Sequence, residues 1–162
     1  MKIAVYPGSF DPVTKGHLDI IERASGIFDK VVVVAMVNRK KKKPTFSLDE
    51  RCAFLEKVTT SFSNVEIKSS DALLAEWVKS VGDCVLLKGL RAVSDFESEF
   101  QQALINRKLN PKLETLFLPT SEEHLYLSSS VVKEISSLGG DISQFVPEEI
   151  LEDVQKRLIG GE

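Results

Sequence analysis

The chain has 162 residues, of which 43% are hydrophobic and 28% are charged, and its formal net charge is −3 at pH 7. This composition suits a packed core and excludes a disordered chain, and the length predicts a single domain over residues 1–162. The slightly acidic balance argues against a protein that coats nucleic acid, so any positive potential must be local.

The first predicted element is a short strand, Lys2–Tyr6, which runs into a turn and then into an amphipathic helix that begins near His17. A helix N-terminus offers free N–H groups and a partial positive charge, and therefore attracts phosphate. Gly8 and Gly16 allow backbone to approach a ligand closely, and Ser9 adds a hydroxyl. Spacing alone leaves two interpretations open: a nucleotide-phosphate site, or an ordinary connection in which His17 merely caps a helix.

Apolar strand patterns then alternate with helical patterns along the rest of the chain. Further strands are predicted at Val31–Val37, Val65–Lys68, Val85–Leu87 and Thr115–Leu118. The alternation predicts an α/β protein with one doubly wound, parallel, five-stranded sheet. The run Val31–Val37 is almost continuously apolar, as expected of a central strand that is covered on both faces.

Helix boundaries are indicated by capping residues. S-x-x-E boxes that start at Ser47 and Ser94 predict helices over Leu48–Thr60 and Asp95–Lys108. The serine triplet that begins at Ser128 should open another helix, and Pro147 should begin the last one.

Ligands in an open parallel sheet bind beyond the carboxyl ends of the strands. The segments that follow the strands here include Gly8-Ser9-Phe10, the basic run Arg39–Lys43, Lys88-Gly89-Leu90-Arg91 and Ser128-Ser129-Ser130. Cations and small hydroxyls are thus expected to converge at one edge of the sheet, as in a site for several phosphates. Most of the basic run is expected to be solvated.

No apolar run approaches the roughly 20 residues of a membrane helix, and the N-terminus lacks the order of a signal peptide. Cys52 and Cys84 have no metal-site spacing and are predicted to be free thiols. A cytoplasmic protein is therefore expected, with neither nucleic acid nor membrane among its partners.

Four sequence motifs resemble those of a known family. They are YPGSFDPVTKGH at the first turn, KKP at Lys42–Pro44, KGLRAVSDFE at Lys88–Glu97 and LSSSVVKE at Leu127–Glu134. TKGH is similar to the (H/T)xGH signature of the nucleotidyltransferase superfamily, and the four motifs in this order resemble bacterial phosphopantetheine adenylyltransferases. The resemblance implies a Rossmann-like nucleotidyltransferase fold with C-terminal helices.

The implied reaction transfers AMP from ATP to 4′-phosphopantetheine, giving dephospho-coenzyme A and pyrophosphate in the penultimate step of coenzyme A synthesis. It proceeds by in-line attack without a covalent enzyme intermediate. By the same resemblance, His17 stabilises the transition state, Ser9 orients the attacking phosphate and Lys42 clamps it. Leu74 and Lys88 complete the phosphopantetheine site, whereas Leu73 and Trp77 are expected in the core.

The resemblance also implies a set of ATP-binding residues: Ser9, Phe10, His17, Gly89, Leu90, Arg91, Glu99, His124, Leu125, Tyr126, Leu127, Ser128, Ser129 and Ser130. Mg²⁺ is expected on the ATP phosphates rather than in a protein site of its own. The acidic residues outside this set, Asp11, Asp19, Asp95 and Glu97, are interpreted as turn or cap residues. A homohexamer and feedback binding of coenzyme A are further implications of the resemblance.

Three positions depart from the family pattern. Lys88 stands where arginine is usual, so the planar guanidinium that can bind phosphate with two hydrogen bonds is replaced by an ammonium. Ser98 replaces a tyrosine, and His124 replaces a large aromatic residue. Two alternatives stay open. One is a sister nucleotidyltransferase that acts on nicotinate mononucleotide, or on a phosphorylated alcohol with CTP, against which Lys133 counts. The other is a silent nucleotide-binding protein, against which the retained site residues count.

Overall fold

The computed structural model describes residues 1–37, 43–91 and 93–160. Its strands are β1 (Ile3–Gly8), β2 (Lys30–Met36), β3 (Val65–Ser70), β4 (Cys84–Leu90) and β5 (Glu114–Pro119). Its helices are α1 (Lys15–Ser25), α2 (Leu48–Val58), α3 (Leu74–Trp77), α4 (Val93–Leu109), α5 (Ser129–Ser137) and α6 (Glu148–Ile159), with 3₁₀ turns at Val78–Ser80 and Glu122–His124. Each of the five predicted strands is confirmed, within a few residues of its expected ends.

The strands form one parallel sheet in the order β3-β2-β1-β4-β5, which confirms the predicted architecture. The middle strand is β1, where Val5 pairs with Val32 on one side and with Leu86 on the other. The apolar run in β2 is an interior strand as expected, but it lies beside the centre rather than at it. The strand order reverses between β1 and β4, which is where such sheets open a crevice for ligands.

The inner strands β1 and β2 are buried on both faces. Alternate side chains of a strand point to opposite sides of the sheet. On one face Ala4 and Tyr6 join a large core that includes α1, α2, α5 and α6. On the other face Val5 packs with β2, β4 and the segment around Val78. Burial of each large apolar side chain contributes about 1.5–3 kcal/mol, so the two layers fix the carboxyl ends of β1 and β4 relative to each other.

The predicted helix starts are confirmed at three of four positions. Ser47 and Glu50 form the expected capping box at α2, Ser128 caps α5, and Pro147 precedes α6. The box predicted at Ser94 is wrong, because α4 already begins at Val93 and Ser94 lies within its first turn. An S-x-x-E pattern also fits a helix interior, where residues three apart lie on one face.

No helix among the described residues combines the length and apolarity needed to span a bilayer.

Candidate active site

A cavity of about 1000 Å³ opens at the carboxyl ends of β1, β2 and β4. Among the predicted site residues, those that line it are Ser9, Phe10, His17, Leu74, Lys88, Gly89, Arg91, Glu99, Leu127, Ser128, Ser129 and Ser130. Leu90, His124, Leu125 and Tyr126 do not line it, and Lys42 lies outside the described residues. A second cavity, of about 560 Å³ between α2 and α6, contains none of the predicted residues. The larger cavity is therefore the candidate site.

His17 lies in the first turn of α1, where Thr14 is the N-cap. The backbone N–H of Thr14 donates to Nδ1 of His17 at 3.0 Å, and the Thr14 hydroxyl accepts a bond from the backbone N–H of His17. A backbone N–H can only donate, so Nδ1 must be the acceptor and the neutral ring carries its proton on Nε2. The capping role left open by the sequence is thus real, yet the same ring lines the cavity and keeps a donor for a ligand.

Burial, with a smaller contribution from the positive charge of Arg91, lowers the pKa of His17 to about 4. The imidazole is therefore neutral near pH 7. A neutral imidazole in this place can donate a hydrogen bond from Nε2 to a phosphate oxygen, but it does not act as a general acid near pH 7.

The turn after β1 packs against the His17 ring through Phe10. The buried Phe10 ring meets His17 edge-to-face at 5.0 Å and Tyr6 at 5.4 Å. Phe10 has a positive φ of 46°, which is unusual for a large side chain. A Cβ on Gly8 would lie 2.8 Å from Phe10 Cζ, so this packing requires glycine at position 8.

Arg51 was missed by sequence reasoning, although it braces the site. Its side chain extends from α2 and is only 3% exposed. Nη1 donates to the carbonyl oxygens of Ser9 at 2.6 Å and Met36 at 3.0 Å. Arg51 thereby links the carboxyl ends of β1 and β2, the two strands that precede Ser9 and the basic run.

Lys88 and Arg91, the two cations at the end of β4, are each held by an acid from α4. Lys88 Nζ lies 3.1 Å from Glu99 Oε2, and Arg91 Nε lies 3.0 Å from Asp95 Oδ2. Arg91 also donates to the Leu127 carbonyl at 3.1 Å, which joins β4 to the segment before α5. The interpretation of Asp95 as a cap is therefore wrong, because its carboxylate faces a guanidinium.

The carboxylate of Asp11 connects three parts of the site. It accepts bonds from the backbone N–H groups of Thr45 and Phe46 and from the Lys133 ammonium of α5, all between 2.9 and 3.0 Å. Burial opposes ionisation of Asp11, but the Lys133 bond and the two backbone bonds outweigh it and hold its pKa below the ordinary value. Asp11 is thus a buried link rather than a simple turn residue.

Asp19 also differs from its expected role as a turn or cap residue. It accepts a bond from the Ser121 hydroxyl at 2.8 Å and pairs with Arg23, which itself donates to the Pro119 carbonyl. These contacts attach α1 to the end of β5. No signal in the sequence marks such long-range contacts.

The start of α5 faces the cavity. Ser128 accepts a bond from the backbone N–H of Val131, as a cap residue does. The Ser129 hydroxyl donates to the Pro12 carbonyl at 2.7 Å, so it holds α5 against the turn after β1. Ser130 is exposed at this helix end. The first N–H groups of a helix have no partner within the helix, so an anion can bind there.

Two adjacent leucines follow β3 at the cavity wall. Leu74 is half-buried, packs against the smaller core and lines the cavity, as does its neighbour Leu73. The core position expected for Leu73 is wrong, since 56% of the residue is exposed. Leu73 precedes the first turn of α3, so helical spacing does not govern its direction. Trp77 packs against the core as expected.

Among the described residues, no group of three or more His, Cys, Asp or Glu side chains is arranged to hold a metal ion.

Comparisons with known proteins identify the family of this chain. A family model described as cytidylyltransferase-like matches residues 5–135. Phosphopantetheine adenylyltransferases from Clostridium tetani and from Clostridium perfringens strain SM101 are 54% and 50% identical, over 157 and 159 residues. These matches cover 97% and 98% of this chain, and 98% and 96% of those proteins.

The fold has solved counterparts as well. A structure of Plasmodium falciparum nicotinic acid mononucleotide adenylyltransferase complexed with NaAD superposes with a TM-score of 0.68, covering 96% of this chain and 95% of that one. Its sequence identity is 16%, so this likeness concerns the fold alone. From the family match and the two close full-length relatives, the chain belongs to the phosphopantetheine adenylyltransferases within the cytidylyltransferase-like nucleotidyltransferases.

Proposed function

We propose that this chain, as a single nucleotidyltransferase domain over residues 1–162, transfers AMP from ATP to 4′-phosphopantetheine. The products are dephospho-coenzyme A and pyrophosphate, as in the penultimate step of coenzyme A synthesis. The observation that carries the proposal is the neutral His17 ring, whose Nδ1 is occupied by Thr14 while the cavity-lining imidazole keeps its Nε2 donor.

The chemistry needs no general base. A phosphate monoester is mostly ionised near pH 7, because its second pKa is about 6. One of its oxygens attacks the α-phosphorus of ATP in line, forming a new P–O bond while the bond to the bridging oxygen of pyrophosphate breaks. What the protein supplies is placement of the two phosphates and donors for the charge that develops between them.

His17 would donate from Nε2 to an α-phosphate oxygen, and its effect is greatest where the charge on that oxygen grows. Ser9 would orient the attacking phosphate, with Lys88 and Lys42 binding the same group. Leu74 and the neighbouring Leu73 offer an apolar wall for the pantetheine arm.

ATP would occupy the opposite side of the cavity, between β4 and the start of α5. Arg91 and the end of α5 with Ser128, Ser129 and Ser130 would bind its phosphates, and Phe10, Gly89 and Leu127 would pack around it. We place Leu90, His124, Leu125 and Tyr126 at the nucleoside end of ATP, beyond the cavity wall. Mg²⁺ would arrive with the triphosphate, with ligands from phosphate and water, because Asp95 and Glu99 are already engaged by cations.

A homohexamer in the cytoplasm is part of the proposal. The assembly of several copies is supported by an exposed apolar stripe on α4, formed by Phe96, Phe100 and Leu104 at helical spacing. Contiguous exposed apolar surface of this kind is typical of an interface. Light scattering should give about six times the mass of one chain, and Phe100→Glu should lower it. Feedback binding of coenzyme A would compete with 4′-phosphopantetheine.

The direct test measures pyrophosphate release by the purified protein with ATP and Mg²⁺. Three reactions are compared, with 4′-phosphopantetheine, with nicotinate mononucleotide and without an acceptor, and the product is identified by mass. Dephospho-coenzyme A from the first reaction alone supports the proposal. Turnover with nicotinate mononucleotide alone assigns the chain to a sister activity, and no turnover with any acceptor contradicts a transferase.

A further inference from the structure

The segment that joins β5 to α5, residues 119–127, is fixed to α1 at its start by polar contacts. The Ser121 hydroxyl donates to Asp19 Oδ1 at 2.8 Å, and Arg23 Nη1 donates to the Pro119 carbonyl at 2.7 Å. Arg23 also pairs with the second oxygen of the same carboxylate, Asp19 Oδ2, at 3.3 Å. The Asp19 side chain is 20% exposed, so water competes less for these bonds than at an open surface. The start of this β5–α5 segment is therefore held against α1.

The later part of the β5–α5 segment packs against the first turn of the same helix. A Cβ on Gly16 would lie 3.4 Å from His124 Cβ and 3.7 Å from Leu127 Cδ2, so the helix backbone is close to the segment. Gly16 and Asp19 are three residues apart and lie on one face of α1. His17, the proposed donor to the α-phosphate, directly follows Gly16. One helix thus carries this donor and also supports the segment.

Two further bonds join the β5–α5 segment to the end of β4. The backbone N–H of Thr120 donates to the Leu90 carbonyl at 2.8 Å, and Arg91 Nη1 donates to the Leu127 carbonyl at 3.1 Å. Thr120 and Leu127 themselves line the candidate site. The segment is therefore part of the cavity wall and is fixed both to α1 and to the end of β4.

Asp19 and Ser121 are not among the described residues that line the cavity, so they can act on a ligand through the segment alone. Resting on the function proposed above, which places residues 124–126 at the nucleoside end of ATP, we infer that Asp19 and Ser121 are positioning residues for the nucleoside. Their bond orders the β5–α5 segment before the nucleotide arrives. Without it the segment would have to be ordered on binding, and the conformational entropy lost at that step would weaken the affinity.

Charge alone would give Asp19 the opposite effect. A carboxylate near a triphosphate repels it, so a simple charge effect predicts that Asp19→Ala binds MgATP more tightly than wild type. Positioning through Ser121 predicts weaker binding by the same variant. The sign of the change therefore separates the two roles.

The test compares Ser121→Ala with Ser25→Ala, the same change at a serine of α1 whose hydroxyl donates to the Glu22 carbonyl. Ser121→Ala should raise the calorimetric Kd for MgATP, measured without acceptor, about fivefold or more, as the loss of one sheltered hydrogen bond does. The Kd for magnesium pyrophosphate, which has no nucleoside, and the KM for 4′-phosphopantetheine should each change by less than about twofold, because these groups bind away from the segment. Ser25→Ala should resemble wild type throughout. A merely structural role for Ser121 would instead weaken both ligands together and lower the melting temperature.

A double-mutant cycle with Asp19→Ala provides the second measurement. Asp19→Ala alone should weaken MgATP binding to a similar extent, and Ser121→Ala should have little further effect in that background. Ser121→Thr, which keeps the hydroxyl, should retain most of the wild-type affinity. Tighter MgATP binding by Asp19→Ala, additive effects, or equal Kd values for Ser121→Ala and Ser25→Ala would each overturn the inference.

The same measurements separate the inference from the proposed function. If the wild-type protein binds MgATP but transfers nothing to the acceptor, the proposed transfer fails, and the comparison of affinities still tests the inference. If the wild-type protein transfers AMP and Ser121→Ala binds MgATP equally well, the inference alone fails. A wild-type protein that binds no MgATP contradicts both.

Discussion

Asp11 and Lys133, 122 positions apart in the sequence, form a 2.9 Å ion pair that joins the turn after β1 to the middle of α5. The carboxylate is buried, whereas the ammonium is partly exposed. Because Asp11 also accepts two backbone bonds from Thr45 and Phe46, the pair connects three segments around the site.

Replacement of Lys133 by methionine should destabilise the protein by about 1–3 kcal/mol, because it leaves a buried carboxylate without its cation. Urea unfolding followed by circular dichroism measures the change. Lys156→Met is the matched control, since the Lys156–Glu152 pair is largely exposed and should contribute little. Equal losses in the two variants would contradict a special role for Asp11.

The same pair predicts how stability depends on pH. The folded-state pKa of Asp11 is below its ordinary value of 3.8, so its stabilising contribution is present above about pH 4 and is lost as the pH falls through the folded-state pKa. Wild-type protein should therefore lose more stability between pH 5 and pH 3 than Lys133→Met does. Parallel curves for the two proteins would contradict the link.

His17→Ala should lower kcat by about 10²–10³-fold, as the loss of one transition-state donor does. The Kd for MgATP should change by less than about threefold, because the donor acts mainly on charge that develops during reaction. His17→Gln, which keeps an N–H donor, should retain more activity than His17→Ala. A large loss of ATP affinity with unchanged kcat would indicate ground-state binding instead.

The low pKa of His17 also leads to a prediction for the dependence of kcat on pH. Because its pKa is about 4, it stays neutral from pH 8 to pH 5.5, and its titration should not produce a break in kcat over that range. A break near pH 6.5 that disappears in His17→Gln would contradict the neutral, Nε2-protonated ring. Stopped assays with product mass detection avoid coupling enzymes that fail at low pH.

Gly8→Ala should lower both stability and kcat. The new methyl group would lie 2.8 Å from the ring of Phe10, which is buried and cannot move without disturbing His17. Overpacking of this kind costs about 1–3 kcal/mol. Gly26→Ala, where the nearest atom would be at an ordinary 3.6 Å, is the control and should be close to wild type in both measurements.

Arg51→Met should destabilise the protein by about 2 kcal/mol or more, since it leaves the Ser9 and Met36 carbonyl groups without their buried donor. Activity at saturating substrate should fall as well, because Ser9 is no longer held. Arg51→Lys should restore only part of both losses, as an ammonium cannot reproduce the geometry of the guanidinium. Full recovery in Arg51→Lys would show that charge alone matters.

The sequence was most informative where the relevant contacts are local. The strand, turn and helix around Ser9 and His17 lie within one short segment, so residue periodicity and turn residues describe them well. The alternation of strands and helices likewise predicts the sheet, because a parallel sheet requires crossover connections.

Contacts between distant segments could not be predicted in this way. Nothing in the spacing of Asp11 and Lys133 shows that they meet, and an arginine in an amphipathic helix, such as Arg51, usually faces solvent. Leu73 illustrates the same limit, because helical spacing predicted a core position for it, whereas it precedes the first turn of α3 and lines the cavity. Such positions are decided by tertiary packing, which a single sequence does not encode locally.

The reversal of strand order between β1 and β4 has a kinetic consequence. On the proposed assignment, the pantetheine arm enters along the β2–β3 flank and the nucleotide along the β4–β5 flank, and their phosphates meet above β1. Neither molecule then blocks the path of the other. The two substrates should be able to add in either order.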